Sequence, residues 1–183
     1  MSNEVDESVL PSYVAIDFET ANSKRDSACS IGLTRVEAGQ VVASFSRLIR
    51  TPTPDFDYFC TRIHGLRWRD VEHEPAFDEL WPELEPMFES VRFIAAHNAP
   101  FDRSVLRALC ERYGLDMPAP GFLDTVRLAR KSWELSSAKL SSVCAHLDIP
   151  LNHHDAGSDA EACARIILHA PIDIVKQMLP PPA

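Results

Sequence analysis

The chain has 183 residues, of which 45% are hydrophobic and 25% charged, the balance of one folded domain with a full core rather than a disordered segment. Lys and Arg total 18 against 27 Asp and Glu, a net charge of −9, which argues against a protein that grips long duplexes by neutralising phosphates. The N-terminus lacks the basic and apolar regions of a signal peptide and no apolar run is long enough to span a bilayer, so a cytoplasmic location is expected. Cys29, Cys60, Cys110, Cys144 and Cys163 are odd in number with no C-x-x-C, and read as reduced, mostly buried thiols rather than disulfides or a zinc site.

Residues 1–8 are polar and acidic, and 1–11 read as a flexible tail; 179–183 close on three prolines and read as another, leaving a single domain over 12–178. Tyr13 to Ile16 is an apolar run that reads as a buried strand and breaks into Asp17-Phe18-Glu19-Thr20. Side chains alternate along a strand, so Asp17 and Glu19 share one face, roughly 6.6 Å apart, while Phe18 points to the other. Two further strands are expected over 27–36 and 41–49, joined as a hairpin through Glu37-Ala38-Gly39-Gln40. Residues 51–59 read as irregular, with a turn at Gly65. The spacing of Phe77, Leu80, Trp81, Leu84, Met87 and Phe88 predicts a helix over 75–90, kinked or split by Pro82 and Pro86. A short strand over 91–96 runs into a helix ending at Gly114. Helices are expected over 125–133, 140–147 and 159–168. Strands first and helices later give an α/β class with a mixed sheet.

Three places carry candidate chemistry. Asp17 and Glu19 crowd one face of a core strand, where they either take up protons or are held ionised by a cation. Asp102 lies just inside the helix that Pro100 helps to start, at a strand-to-helix junction that opens onto a crevice. Taken alone it complements a helix dipole, and His97 and Asn98 beside it read as capping the helix and satisfying backbone groups. In His153-His154-Asp155-Ala156-Gly157-Ser158-Asp159, residues five apart on a helix are roughly 140° out of phase. His154 and Asp159 therefore converge only if His154 is in the loop and Asp159 in the first turn. Asp155 or Ser158 is available as the N-cap, and Ser158-x-x-Glu161 fits a capping box. Four carboxylates and one imidazole are what two-metal phosphodiester hydrolysis requires: Mg²⁺ takes hard oxygen ligands and a neutral histidine accepts a proton.

Ile16-Asp17-Phe18-Glu19-Thr20, His97-Asn98-Ala99-Pro100-Phe101-Asp102 and His154-Asp155-Ala156-Gly157-Ser158-Asp159-Ala160 resemble, in order, the three exonuclease motifs of the DEDDh family. That family includes the epsilon proofreading subunit of bacterial DNA polymerase III, RNase T and oligoribonuclease. The resemblance runs from about Tyr13 to Leu168. It implies a ribonuclease-H-like fold, a mixed central sheet with the antiparallel meander first and parallel strands after it, flanked by helices. It also implies 3′→5′ removal of nucleoside 5′-monophosphates from single-stranded DNA or RNA ends with two divalent cations, Mg²⁺ or Mn²⁺. By motif position Asp17, Glu19, Asp102 and Asp159 match the metal-binding acids and His154 the general base. The spacing selects His154 over His153, which reads as an exposed helix-entry residue. Candidate substrate contacts are Phe18, Thr20, His64, Asn98 and Phe101. Ile63-His64-Gly65-Leu66 resembles a cleft segment of epsilon-like members, with a structural turn as its alternative. Gly157 stands where many members carry a larger residue, and is expected to loosen the helix start before Asp159. A polymerase or other protein partner is not readable from the chain. The rival readings are an oligonucleotide-specific phosphodiesterase and a non-catalytic nucleic-acid-binding module on the same fold.

Overall fold

The computed structural model describes residues 10–182. Its centre is β1 (Tyr13–Thr20), whose first four residues, Tyr13 to Ile16, are fully buried. A strand covered on both faces reads as a continuous apolar run rather than an alternation. β2 (Ala28–Glu37) pairs antiparallel with β1, and β3 (Gln40–Leu48) antiparallel with β2. The hairpin between them turns at Ala38 and Gly39, both at positive φ, as a two-residue turn matched to strand twist requires. On the other side β4 (Phe93–Ala96) pairs parallel with β1, and β5 (Phe122–Asp124) parallel with β4. The sheet order is β3-β2-β1-β4-β5.

Between β3 and β4 lie α1 (Tyr58–His64), α2 (Trp68–Val71) and α3 (Phe77–Leu84), followed by a 3₁₀ turn over Glu85–Phe88. The expected 75–90 helix is therefore split where Pro86 enters. α4 (Ala99–Tyr113) follows β4 and stops at Gly114 in the left-handed region. α5 (Thr125–Ser132), α6 (Leu140–His146), α7 (Ala156–His169) and α8 (Ile172–Gln177) complete the fold.

The two faces of β1 pack against different helices. Val14, Ile16 and Phe18 join Phe77, Leu80 and Leu84 of α3 and Val105, Leu106 and Leu109 of α4. Tyr13 and Ala15 join Leu128 of α5, Cys163, Ala164 and Ile167 of α7, and Val175 of α8. The Tyr13 hydroxyl donates to the Ala164 carbonyl at 2.8 Å, fixing α7 along β1. Odd-numbered positions of β1 thus face α7, which decides where Asp17 and Glu19 point.

Several expectations shift. α1, α2, β5 and α8 are too short or too exposed to give a readable period; α1 buries none of its residues. α7 starts at Ala156, three residues before the expected Asp159, because Asp155 is its N-cap and accepts from the Ser158 N–H at 2.9 Å. Within the expected C-terminal tail, 179–183, Leu179 packs on the Tyr13 cluster and the Pro180 carbonyl accepts from Arg92 Nη2 at 2.7 Å. Of the expected N-terminal tail, residues 1–9 lie outside the described residues, while Leu10 packs with that same cluster. No helix among the described residues is long and apolar enough to cross a membrane.

Candidate active site

Asp17 and Glu19 leave the core on the α7 face of β1, at the end where the strand outruns its parallel neighbour. β4 pairs only as far as Ala15↔Ala95, and the chain then turns into α4. The Phe18 N–H consequently has a side-chain partner, Asp102 Oδ1 at 3.0 Å. Asp102 sits in the first turn of α4 and is only 2% exposed. A carboxylate thus takes the ladder position that a longer strand would have filled.

α7 reaches the same level because of a glycine. Asp17 lies opposite Gly32 in β2, and a Cβ at Gly32 would stand 1.9 Å from the Ala156 carbonyl oxygen. The start of α7 therefore lies directly on β2, and Asp159 in its first turn comes over β1. Ligand oxygens of Asp17, Glu19 and Asp159 all lie within 4.8 Å of one another. Gly157 belongs to the same packing: a Cβ there would meet Ser46 of β3 at 2.9 Å. Its small size tightens the seat of α7 on the sheet, where the sequence suggested a loosened helix start.

Burial and crowding act on these acids together. Burial is the largest cause raising Asp17 well above the carboxylate range, with the charges of Asp102, Asp159, Glu19 and Asp155 adding to it. Burial, then Asp159 and Asp155, push Glu19 up to about 8. Asp102 is raised by burial against the opposing Phe18 N–H bond, and Asp159 by burial against its hydrogen bond from His153. Among the described residues the buried Asp159 Oδ1 has no hydrogen-bond partner. Protonated acids, or a cation among ionised ones, resolve such a cluster. Hard oxygen donors with an unused lone pair fit a Mg²⁺- or Mn²⁺-type ion.

The two histidines lie closer together in role than their spacing suggested. His153, read from sequence as an exposed helix-entry residue, has Nδ1 2.9 Å from Asp159 Oδ2. The His154 backbone N–H donates to that oxygen at 3.2 Å. His154 takes φ +70, a left-handed backbone that lets adjacent rings stack, with centroids 3.8 Å apart. His154 Nδ1 is 4.0 Å from Glu19 Oε1. Burial and the neighbouring His153 lower the His154 pKa, so its neutral form is favoured.

The other candidates separate. Asn98 and Phe101 line the concavity that holds the acids. Asn98 is exposed at φ +76 and makes no side-chain cap bond, so the capping expected of it is not made; its N–H donates to Asp124 Oδ1 at 3.2 Å. His97 does serve structure, with ring nitrogens 2.9 Å from Thr125 Oγ1 and 3.0 Å from the Ala138 carbonyl oxygen. The Phe18 ring is 3% exposed and packs on Phe77 in the core, so only its backbone reaches the site. Thr20 is buried beyond a register shift at Glu19/Thr20, and its carbonyl is bonded by His64 Nε2 at 3.2 Å. The other His64 nitrogen accepts from the Leu66 N–H at 3.1 Å, and Gly65 closes α1 at φ +80, so this segment is a helix-ending turn. Sequence reasoning passed over Arg130 and Lys139, which line the wall facing the acids. The signal was there: two cations flank the connection between α5 and α6 in a chain of net charge −9.

The chain matches the sequence profile of the exonuclease family, RNase_T, over residues 14–167. It belongs to that family. A PolC-type DNA polymerase III of Clostridium perfringens is 35% identical over 170 residues, covering 90% of this chain and 12% of that protein. The 3′-5′ exonuclease DinG of Bacillus subtilis is 29% identical over 161 residues, covering 85% of this chain and 17% of that protein. The chain thus spans a small part of these relatives' length. Among solved structures, the nuclease domain of 3′hExo, a DEDDh family member bound to rAMP, superposes with a TM-score of 0.71 at 15% identity. That match covers 93% of this chain and 95% of the other. The fold of this exonuclease-family chain is the mixed, ribonuclease-H-like α/β arrangement that the three motifs implied.

Proposed function

We propose that the chain is a metal-dependent 3′→5′ exonuclease that hydrolyses single-stranded DNA or RNA ends and releases nucleoside 5′-monophosphates. The observation that carries this reading is the convergence of Asp17, Glu19 and Asp159, with Asp102 anchored behind them on β1. Asp17, Glu19, Asp102 and Asp159 would hold two Mg²⁺ or Mn²⁺ ions. Such ions, when bound, supply charge neutralisation for the in-line displacement at phosphorus. The protein's own part is positional and protolytic. Asp102, tied to the Phe18 N–H, keeps its carboxyl fixed relative to β1. His154, neutral near pH 7, takes the proton of the attacking water at an imidazole nitrogen. The new bond joins water oxygen to phosphorus, the bond to the upstream 3′ oxygen breaks, and that oxygen takes a proton from solvent, leaving a shortened strand with a 3′-hydroxyl. Asn98 and Phe101, on the wall of the concavity, are the proposed contacts to the terminal nucleotide.

The names of relatives support this direction, since one of them is a 3′-5′ exonuclease. The PolC-type relatives make a polymerase a candidate partner beside the strand itself. The test uses matched single-stranded DNA and RNA, each 5′-labelled, with a closed circular strand as control. A ladder shortening from the 3′ end with the circle intact is expected. Efficient cutting of the circle overturns the assignment.

A further inference from the structure

A second concavity, of about 550 Å³, lies between α4, α5 and the free edge of β5. Arg103 and Arg107 of α4 and Arg127 and Lys131 of α5 line it, all exposed. Each pair is spaced i, i+4, so two like charges stack on each helix face, an arrangement that weakens a helix on its own. None of the four side chains has a hydrogen bond, ion pair or ring contact among the described residues. Elsewhere Arg35, Arg47, Arg50, Arg69, Arg112 and Arg165 meet carboxylates, Arg25 and Arg62 lie over aromatic rings, and Arg92 donates to the Pro180 carbonyl. Among the described residues these four cations face one groove unpaired, and the Arg130 and Lys139 side chains are likewise unpaired on the wall of the adjoining acid pocket. Asp124, the acid on its wall, accepts the Val126 and Asn98 N–H groups at 2.9 and 3.2 Å, both at Oδ1, and its carboxylate forms no ion pair with any of the four.

The groove adjoins the acid pocket. α5 turns Val126 and Arg130 toward the pocket and Arg127 and Lys131 toward the groove; α4 does the same with Asp102 and Arg103. We infer that this groove holds the phosphate backbone of the nucleic-acid strand upstream of the 3′ end seated among the acids. The inference rests on the exonuclease reading, and it reconciles a strand-binding role with a net charge of −9: cationic charge is concentrated where the strand passes. An acidic protein segment would also find cations here, but continuity with the pocket favours the substrate.

The double variants Arg103→Gln/Arg127→Gln and Arg107→Gln/Lys131→Gln test it. The substrates are a 12-nucleotide single-stranded DNA and the p-nitrophenyl ester of thymidine 5′-monophosphate, too short to reach the groove. The ratio of KM for the strand to KM for the ester should rise about tenfold. The slope of log affinity against log salt should flatten by roughly 1.4, two phosphate contacts at 0.7 each. An unchanged ratio and slope in both variants would overturn the inference and leave the groove to a protein partner. If the parent chain cuts neither substrate, the exonuclease reading has failed. Anisotropy of a fluorescein-labelled 12-mer in chelator then still reads the groove: weakened binding in both variants supports it, and equal binding overturns it.

Discussion

Asp102 and Arg103 are neighbours in sequence and opposites in circumstance. Asp102 is 2% exposed, hydrogen-bonded to β1 and pushed toward protonation by burial. Arg103 is exposed, without a side-chain partner among the described residues, on the wall of a different concavity. A step of one residue turns a helix by about 100°, enough for α4 to serve an acid pocket on one side and a basic groove on the other. The two regions carry charge by different means. The acids are held by the fold at a cost that protons or cations must offset; the cations remain in water at little cost.

The largest effect should come from breaking the acid side. Asp17→Ala or Asp102→Asn should lower kcat by roughly 10³-fold or more, since several kcal/mol of charge stabilisation is lost and each 1.36 kcal/mol is tenfold. Asn at position 102 can still accept the Phe18 N–H, so circular dichroism and melting should remain those of a folded chain. Near-wild-type turnover in either variant would separate these acids from the chemistry.

Next in size is the histidine pair. His154→Ala should cost about 10²–10⁴-fold in kcat, the usual range for a general base. His153→Ala, which frees Asp159 of its hydrogen bond, should cost about tenfold at most and weaken Mn²⁺ affinity more than kcat. The reverse order would put the base at His153.

How much of this was legible divides along the same line. The first strand, the hairpin and the motif acids were readable because apolar runs and D-x-E spacing are local. What placed Asp159 over β1 was not, because the contact between Gly32 and Ala156 spans most of the chain and leaves no period in the sequence. α1 and β5 escaped for another reason: one buries nothing and the other is three residues long. The role of His153 was hidden by a motif spacing that selects only its neighbour. The basic groove was invisible as a groove, since Arg103, Arg107, Arg127 and Lys131 are brought together only by the packing of α4 beside α5.

A smaller effect probes that long-range contact. Gly32→Ala should destabilise by about 1–3 kcal/mol, as overpacking against a rigid neighbour does, because the Ala156 carbonyl is backbone. Activity should fall further than stability alone accounts for, as Asp159 moves with α7. Gly157→Ala should be milder, since the atoms it meets are Ser46 Cβ and Oγ at 2.9 Å, farther off than the backbone carbonyl that a Cβ at Gly32 meets at 1.9 Å. Equal melting temperatures for Gly32→Ala and wild type would mean that α7 is not seated as described.

A further effect is on the pH dependence of stability without metal. Folded Glu19 keeps its proton up to about pH 8, whereas its ordinary value is 4.5. The folded state binds more protons across that window, so stability is fully present below it and falls as pH rises through it. Asp17, raised by burial, contributes in the same direction. Thermal melts in chelator between pH 5 and 8 should show a falling Tm, and Glu19→Gln should flatten the trend. Saturating Mg²⁺ should oppose it more strongly at higher pH, since ligands must be deprotonated; an ion at ~100 times its Kd adds about 2.7 kcal/mol.

The central claim is that these four carboxylates, and not the basic groove, form a cation site. Mn²⁺ binding followed by electron paramagnetic resonance, with a nucleoside 5′-monophosphate present, tests it most directly. Two ions per chain are expected in the wild type, with loss of at least one in Asp17→Asn and in Asp159→Asn and no change in Arg103→Gln/Arg127→Gln. Full Mn²⁺ occupancy in Asp17→Asn and Asp159→Asn would contradict it.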